Sequence, residues 1–96
     1  MMTTTYLEIT MQVAPQDRPR AGAVYAEYRQ PFLDDVPGAR SKQLLIRDED
    51  VQVLHGFESR IAAESYLRSK LFSEDIVTAL KPLLVTGPDI RIYEAQ

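Results

Sequence analysis

The stretch from Val51 to Phe72 most strongly limits how this chain folds, because a strand pattern runs directly into a helix pattern. Residues expected on one strand face recur at every second position, namely Val51, Val53, His55 and Phe57. Ser59 can then cap a helix predicted over Arg60 to Ser69, since its hydroxyl can accept from a free amide of the first turn. We therefore expect His55 and Phe57 to lie beneath the covering helices and to form the floor of any pocket.

The rest of the chain repeats these two patterns. Further strands are predicted at Tyr6 to Val13, Ala39 to Arg47 and Ile90 to Ala95, and further helical segments at Arg18 to Asp35 and about Phe72 to Val85. Pro31 is expected to kink or end the first helix. The order strand, helix, strand, strand, helix, strand predicts an α+β, ferredoxin-like split βαβ fold, in which helices cover one face of a four-stranded antiparallel sheet.

The central hairpin has a predictable register because the polar loop from Arg47 to Asp50 is short. It should place Ile46 opposite Val51 and Leu44 opposite Val53. Alternation puts Arg40 and Lys42 on the same face as Leu44. They could reach His55 across the sheet and give an anionic substrate a positive rim, or they could lie beyond the helices in water.

Composition narrows the possible functions. The 96 residues predict a single domain, 1–96, with residues 1–5 as a flexible lead-in. The net charge of −3 disfavours nucleic-acid binding, and the absence of cysteine together with a single histidine argues against a metal site. Without a membrane span or signal-peptide pattern, a cytoplasmic location is expected.

The sheet face away from the helices should be unusually apolar for a solvated surface. Leu45, Leu54 and Tyr93 are expected there beside Tyr6 and several polar residues. Such a mixed face favours association, so we predict a homodimer in which two sheets pack face to face. The alternative is a solvated sheet with a few exposed tyrosines.

The run VLHGFESRIAAESYLRSKLFSEDI, followed by LKPLL, a Gly-Pro break and DIRIYEAQ, resembles the antibiotic-biosynthesis monooxygenase (ABM) group of dimeric α+β barrels. The resemblance extends from Tyr6 to Glu94. It implies a ferredoxin-like homodimer that forms a barrel. Some members of the group oxidise polyketide-derived phenols with molecular oxygen and neither metal nor flavin, others degrade haem, and many have no assigned activity.

Individual positions only partly match the group. A tryptophan often follows the third strand of its members, and this chain has Phe57 there. The haem-degrading members imply an aromatic residue in the second helical segment and a histidine ten residues later, where this chain has Tyr66 and Ile76. They also use an asparagine in the first strand, which is absent here. Haem degradation is therefore disfavoured unless His55 serves as ligand, because an apolar side chain cannot bind iron.

The resemblance and the residues together suggest a cofactor-independent monooxygenase acting on a small aromatic or polyketide-like substrate. His55 is the candidate catalytic residue, which would deprotonate or orient a phenol. The candidate substrate-binding residues are Tyr25, Tyr28, Phe57 and Tyr66. Glu58 and Arg91 could supply charge at a pocket mouth or lie on the surface.

Each of these assignments has a structural alternative. His55 could be packed and bonded to backbone, and the tyrosines could be ordinary core. The protein would then be a non-catalytic barrel that binds a small hydrophobic ligand. An isomerase or lyase of the same fold also remains open, because it needs only acid and base groups.

Overall fold

The computed structural model describes residues 3–96 of the chain. Its main elements are β1 (Thr5–Met11), α1 (Arg18–Asp35), β2 (Ala39–Ile46), β3 (Val51–Phe57), α2 (Arg60–Arg68), α3 (Val77–Leu80) and β4 (Asp89–Glu94). Neighbouring strands are antiparallel in the order β2-β3-β1-β4. This is the predicted ferredoxin-like α+β fold, which is thereby confirmed.

The two central strands present alternate residues to the helices, as their sequence pattern predicts. In β1 and β3 the buried side chains alternate with half-buried ones along most of each strand. The hydrophobic core that they form with the helices contains Leu7, Ile9, Met11, Val13, Ala21, Phe32, Val51, Val53, Phe57, Ala63, Tyr66, Phe72, Ile76 and Leu83. His55 belongs to the same face and is buried within this apolar layer.

The β2-β3 hairpin has the predicted register up to its bulge. Leu44 lies opposite Val53, and Ile46 lies opposite Val51. Between Ala39 and Ser41 the register shifts by one residue, so Arg40 has no partner on β3. Arg40 is exposed and does not reach His55, so the expected approach of Arg40 to His55 across the sheet is not observed. Arg40 instead forms a salt bridge with Glu58, and Lys42 lies opposite His55.

The first helix continues through Pro31 to Asp35, so proline does not end it. The chain then turns at Gly38, whose φ of 81° is accessible to glycine without the steric cost that a Cβ imposes. An added Cβ at Gly38 would also lie 2.6 Å from the Cβ of Ala62. This turn brings β2 alongside β3 and closes the layer formed by α1 and the sheet.

The second helical region is divided at Ser69. Ser59 caps α2 as predicted, because its Oγ accepts a hydrogen bond from the Ala62 amide. At the other end the Ser69 hydroxyl donates to the Tyr66 carbonyl and accepts from the Phe72 amide. The chain continues as a π-helical turn (Leu71–Ile76), α3 and a 3-10 turn (Lys81–Leu83), which together occupy most of the segment predicted as helical from Phe72 to Val85.

The expected lead-in is shorter than predicted. Thr5 belongs to β1, and the Thr4 amide donates to the Phe57 carbonyl at 3.0 Å. The Thr4 carbonyl also accepts from the Ala95 amide at 2.8 Å. Residues 4 and 5 are therefore held by the sheet, while Met1 and Met2 of the predicted lead-in lie outside the described residues.

The sheet face opposite the helices carries the residues predicted for it. Leu45 and Tyr93 are 42% and 46% exposed, and Leu54 is half-buried. Tyr6 lies opposite Tyr93 in the β1-β4 pair. In residues 3–96, no helix has the length and apolar character needed to cross a membrane.

Candidate functional site

A cavity of about 510 Å³ lies between α1, the inner face of the sheet and the segment that contains α3. Its inner wall includes Ile9, Met11, Val51, Val53 and His55, and its outer end is formed by Lys81 and residues 84–88. Most of these side chains are apolar. A volume of this size lies within the range of small-molecule sites, so the cavity can hold a planar organic ligand.

His55 is fixed at the inner wall by one backbone hydrogen bond. The side chain is 2% exposed, and its Nδ1 lies 3.0 Å from the Leu7 carbonyl oxygen. Because a carbonyl can only accept, Nδ1 carries the proton and Nε2 keeps a free lone pair. Burial lowers the pKa of His55 to about 3, and the charge of Lys42 contributes in the same direction. The imidazole is therefore a neutral hydrogen-bond acceptor at physiological pH and a weak base.

Lys42 is the second polar group of the inner wall. It lies opposite His55 in the β2-β3 pair and is 4% exposed. Its Nζ lies 5.3 Å from the centre of the Phe32 ring and 6.0 Å from that of Tyr25. Burial lowers the pKa of Lys42 to about 8, so the amine is still mostly protonated at pH 7. Contact with the aromatic faces offsets part of the cost of burying this charge.

Tyr66 contributes a hydroxyl that has no hydrogen-bond partner among residues 3–96. The side chain is 1% exposed and lines the cavity from α2. Burial raises the pKa of Tyr66 above its ordinary value, so the hydroxyl stays protonated and can donate. A buried hydroxyl without a partner costs free energy of the order of 1–3 kcal/mol.

Phe32 brings these three polar residues to the same part of the cavity. Its ring centre lies 5.3 Å from that of His55 and 5.0 Å from that of Tyr66. The Lys42 ammonium approaches the same ring. The side chains of Lys42, Tyr66 and His55 are therefore grouped around one phenyl ring, in otherwise apolar surroundings.

The predicted aromatic walls are partly in place. Tyr25 and Tyr28 of α1 line the cavity together with Tyr66. The Tyr25 hydroxyl donates to the Lys42 carbonyl at 2.8 Å, which ties α1 to β2. Phe57 does not reach the cavity wall, because it is fully buried at the end of β3 against Phe32. Its predicted role as a wall residue is not supported, and Phe57 belongs to the core.

Charged residues near the cavity differ from those expected. Neither Glu58 nor Arg91 lines the cavity. Glu58 forms a salt bridge with Arg40, and Arg91 forms one with Asp89. Lys81 does line the mouth, and no local sequence pattern predicts this position. Its position depends on how the segment after α3 folds back over the sheet, which hydrophobic periodicity does not report.

The described chain offers little for a metal ion. Residues 3–96 contain no cluster of three or more histidine, aspartate or glutamate side chains able to hold one. Ile76, which occupies the position of the histidine in haem-degrading members of the ABM group, lies on the cavity wall. An alkyl side chain there provides contact area for a ligand but no bond to iron.

The fold is shared with several solved structures of low sequence identity. A conserved protein of Methanosarcina mazei Go1 has a TM-score of 0.84 and 17% identity, over 99% of this chain and 95% of that one. A Caulobacter crescentus CB15 protein, provisionally named as an antibiotic biosynthesis monooxygenase, has a TM-score of 0.84 and 18% identity, over 98% and 91%. A Streptomyces coelicolor monooxygenase from the gene ActVA-Orf6, solved with the ligand nanaomycin D, has a TM-score of 0.83 and 18% identity, over 98% and 88%.

These similarities confirm the resemblance to the ABM group at the level of fold. The sequence itself matches no family model, and no curated protein is significantly similar to it. At such identities the shared architecture does not carry activity from one chain to another.

Proposed function

We propose that this chain, which has the fold of the ABM-group structures, is a cofactor-independent monooxygenase for a small aromatic or polyketide-like phenol. The observation that carries the proposal is a neutral His55 in the wall of an apolar cavity of about 510 Å³. Tyr25, Tyr28 and Tyr66 are proposed to contact the rings of the substrate. The ligand nanaomycin D in the Streptomyces coelicolor structure supports the choice of substrate class.

In the proposed reaction His55 positions the substrate more than it deprotonates it. Its free Nε2 accepts a hydrogen bond from the phenolic hydroxyl, while its low pKa makes full proton transfer to the imidazole unfavourable. The phenolic proton leaves to water, and the electron-rich phenolate reacts with O2. For an anthrone-type substrate, the ring CH2 loses two hydrogens and gains one oxygen atom as a carbonyl. The second oxygen atom leaves as water, so O2 is the oxidant and the substrate the reductant.

The test is aerobic incubation with an anthrone-type phenol while quinone formation is followed by absorbance. Quinone should form faster with the wild-type protein than in buffer. His55→Ala should lower the protein-dependent rate by about 2- to 10-fold, as expected for the loss of one hydrogen bond of about 0.5–1.5 kcal/mol. Thr78→Ala is a suitable control, since Thr78 is exposed and lies outside the cavity wall. Equal rates for wild type and buffer would contradict the oxygenase proposal.

A non-catalytic ligand-binding protein is the second candidate, and the hydrogen bond from His55 to Leu7 favours it. That bond already gives His55 a structural role. In this case His55→Ala would lower stability without changing affinity for an aromatic ligand. Binding and activity assays on the same variant therefore separate the two functions.

We also propose that the protein acts as a homodimer joined through the uncovered sheet face. Leu45 and Tyr93 are exposed on that face, and Leu54 lies between them on β3. Large apolar side chains in such a position are favourable to bury against an identical surface. The dimer would close the α+β barrel that the resemblance implies.

A further inference from the structure

The cavity and the chain as a whole differ in charge. The chain has a net charge of −3, with 14 acidic and 11 basic residues other than histidine. Within residues 3–96, however, the cavity walls include Lys42 and Lys81 and no aspartate or glutamate. An acidic protein thus encloses a site in which the fixed charges are positive.

Lys42 lacks a partner of opposite charge. Among the described residues its ammonium forms neither a salt bridge nor a side-chain hydrogen bond, and it approaches the rings of Phe32 and Tyr25. Charges buried without a partner are uncommon because desolvation costs several kcal/mol. Lys42 lines the cavity, so its ammonium is available to a ligand that enters there.

The groups that surround Lys42 do not neutralise it. On α1 the neighbours are Tyr25 and Arg29, whose hydroxyl and guanidinium both donate to the Lys42 carbonyl. On β3 the partner is His55, which is neutral, and Tyr28, Tyr66 and Lys81 complete the ionisable residues of the wall. None of these residues carries a carboxylate, so within the described chain no acidic group of the cavity wall pairs with the Lys42 ammonium.

We propose that Lys42 is an anion-binding residue and that the cavity takes its ligand as an aromatic monoanion, either a phenolate or a carboxylate. The oxyanion sits at the Lys42 ammonium. The apolar body of the ligand extends along α1 toward α3, and Lys81 adds positive charge at the mouth. This rests on the ligand site of the proposed function but not on the oxygenation reaction.

The Lys42 ammonium complements an oxyanion chemically. It has three N–H donors, and a carboxylate or phenolate is an acceptor with several lone pairs. Binding would give the ammonium a charged hydrogen-bond partner, and the apolar surroundings would strengthen the charge interaction. A neutral aromatic ligand of the same shape would leave the ammonium unpaired, which gives the cavity a basis for preferring acids.

The experiment compares 2-naphthoate with its neutral analogue 2-naphthamide by isothermal titration calorimetry at pH 7. The acid should bind wild-type protein about 10- to 100-fold more tightly than the amide, as expected for a hydrogen-bonded charge pair. Lys42→Met should remove this preference, and Lys42→Arg should keep most of it. Lys70→Met is the matched control, because Lys70 is exposed and pairs with Asp75 away from the cavity.

A second probe, 4-nitrophenol, tests the phenolate directly because its anion is yellow. Wild-type protein should increase the phenolate absorbance below the solution pKa of the phenol, and Lys42→Met should not. Equal affinities for acid and amide, or a preference that survives Lys42→Met and is lost in Lys81→Met, would overturn the proposal. Neither probe is oxidised in these assays, so a failed oxygenase test leaves this result unaffected, and the converse also holds.

Discussion

Lys42 and His55 lie opposite each other across β2 and β3, and both side chains are almost completely buried on the helix-covered face of the sheet. In each case burial disfavours the charged form and lowers the pKa. The result is a protonated lysine beside a neutral histidine. This division gives one group the role of cation and the other the role of hydrogen-bond acceptor.

Replacing Lys42 with methionine should stabilise the unliganded protein. The pKa of Lys42 falls from 10.5 to about 8 on folding, which corresponds to roughly 3 kcal/mol of unfavourable free energy at pH 7. The loss of the aromatic contacts offsets part of this, so we expect a gain of about 1–3 kcal/mol in the free energy of unfolding. Urea denaturation of Lys42→Met and wild type at pH 7 measures it.

Repeating the denaturation at higher pH tests whether the protonated, buried Lys42 is what lowers the stability of the wild-type protein. Between about pH 8 and 10.5 the unfolded chain binds more protons at Lys42 than the folded chain, so wild-type stability gains as pH rises. The advantage of Lys42→Met should therefore shrink across this window. A variant that is less stable than wild type at pH 7, or a pH-independent difference, would contradict the burial of an unpaired ammonium.

His55 should make the protein sensitive to acid. Its pKa is about 3 in the folded chain and 6.5 in the unfolded chain, so stability present above pH 6.5 is lost as pH falls toward 3. The slope is about 1.4 kcal/mol per pH unit for one proton. His55→Asn retains an N–H donor for the Leu7 carbonyl without titrating in this range, and we expect a shallower decline. The free energy of unfolding of both proteins is measured by urea denaturation between pH 3 and 7. If it falls equally with pH in wild type and His55→Asn, His55 does not titrate as described.

Gly38, in the turn after α1, and Gly22, within α1, should respond oppositely to alanine. Gly38→Ala places a Cβ at a φ of 81° and close to Ala62, so we expect a loss of about 1–3 kcal/mol in stability. Gly22 lies within α1, and nothing is within 4 Å of an added Cβ. Gly22→Ala should stabilise by about 0.5–1 kcal/mol through better helix propensity. Thermal melting of both variants distinguishes backbone strain from a general effect of alanine.

The proposed dimer predicts a sedimenting mass about twice the 10.9 kDa of one chain, in line with the two-fold association expected of such a face. Leu54→Lys or Tyr93→Lys should shift the protein toward monomer, because either change buries a charge at the interface. Ile61→Lys is the control, since Ile61 is 75% exposed on α2. Analytical ultracentrifugation at micromolar concentration provides the measurement, and a wild-type monomer would rule out this interface.

Local sequence patterns predicted most of the architecture because they depend on interactions between residues close in the chain. Alternation placed His55 on the covered face, and the short loop after Ile46 paired Leu44 with Val53. Ser59 was identifiable as a cap because its role depends on one hydrogen bond within the next turn. In these cases strand geometry or helix geometry alone determines which side chains meet.

The candidate site required contacts that no local pattern contains. The bulge before Ser41 sends Arg40 to the surface, while Lys42 remains buried opposite His55. Phe57 belongs to the core instead of the cavity wall, because Phe32 of α1 packs against it. Residue type and period thus determined the sheet, its helices and their order. The tertiary structure decided which cation stays in the cavity, because burial depends on how distant elements pack together.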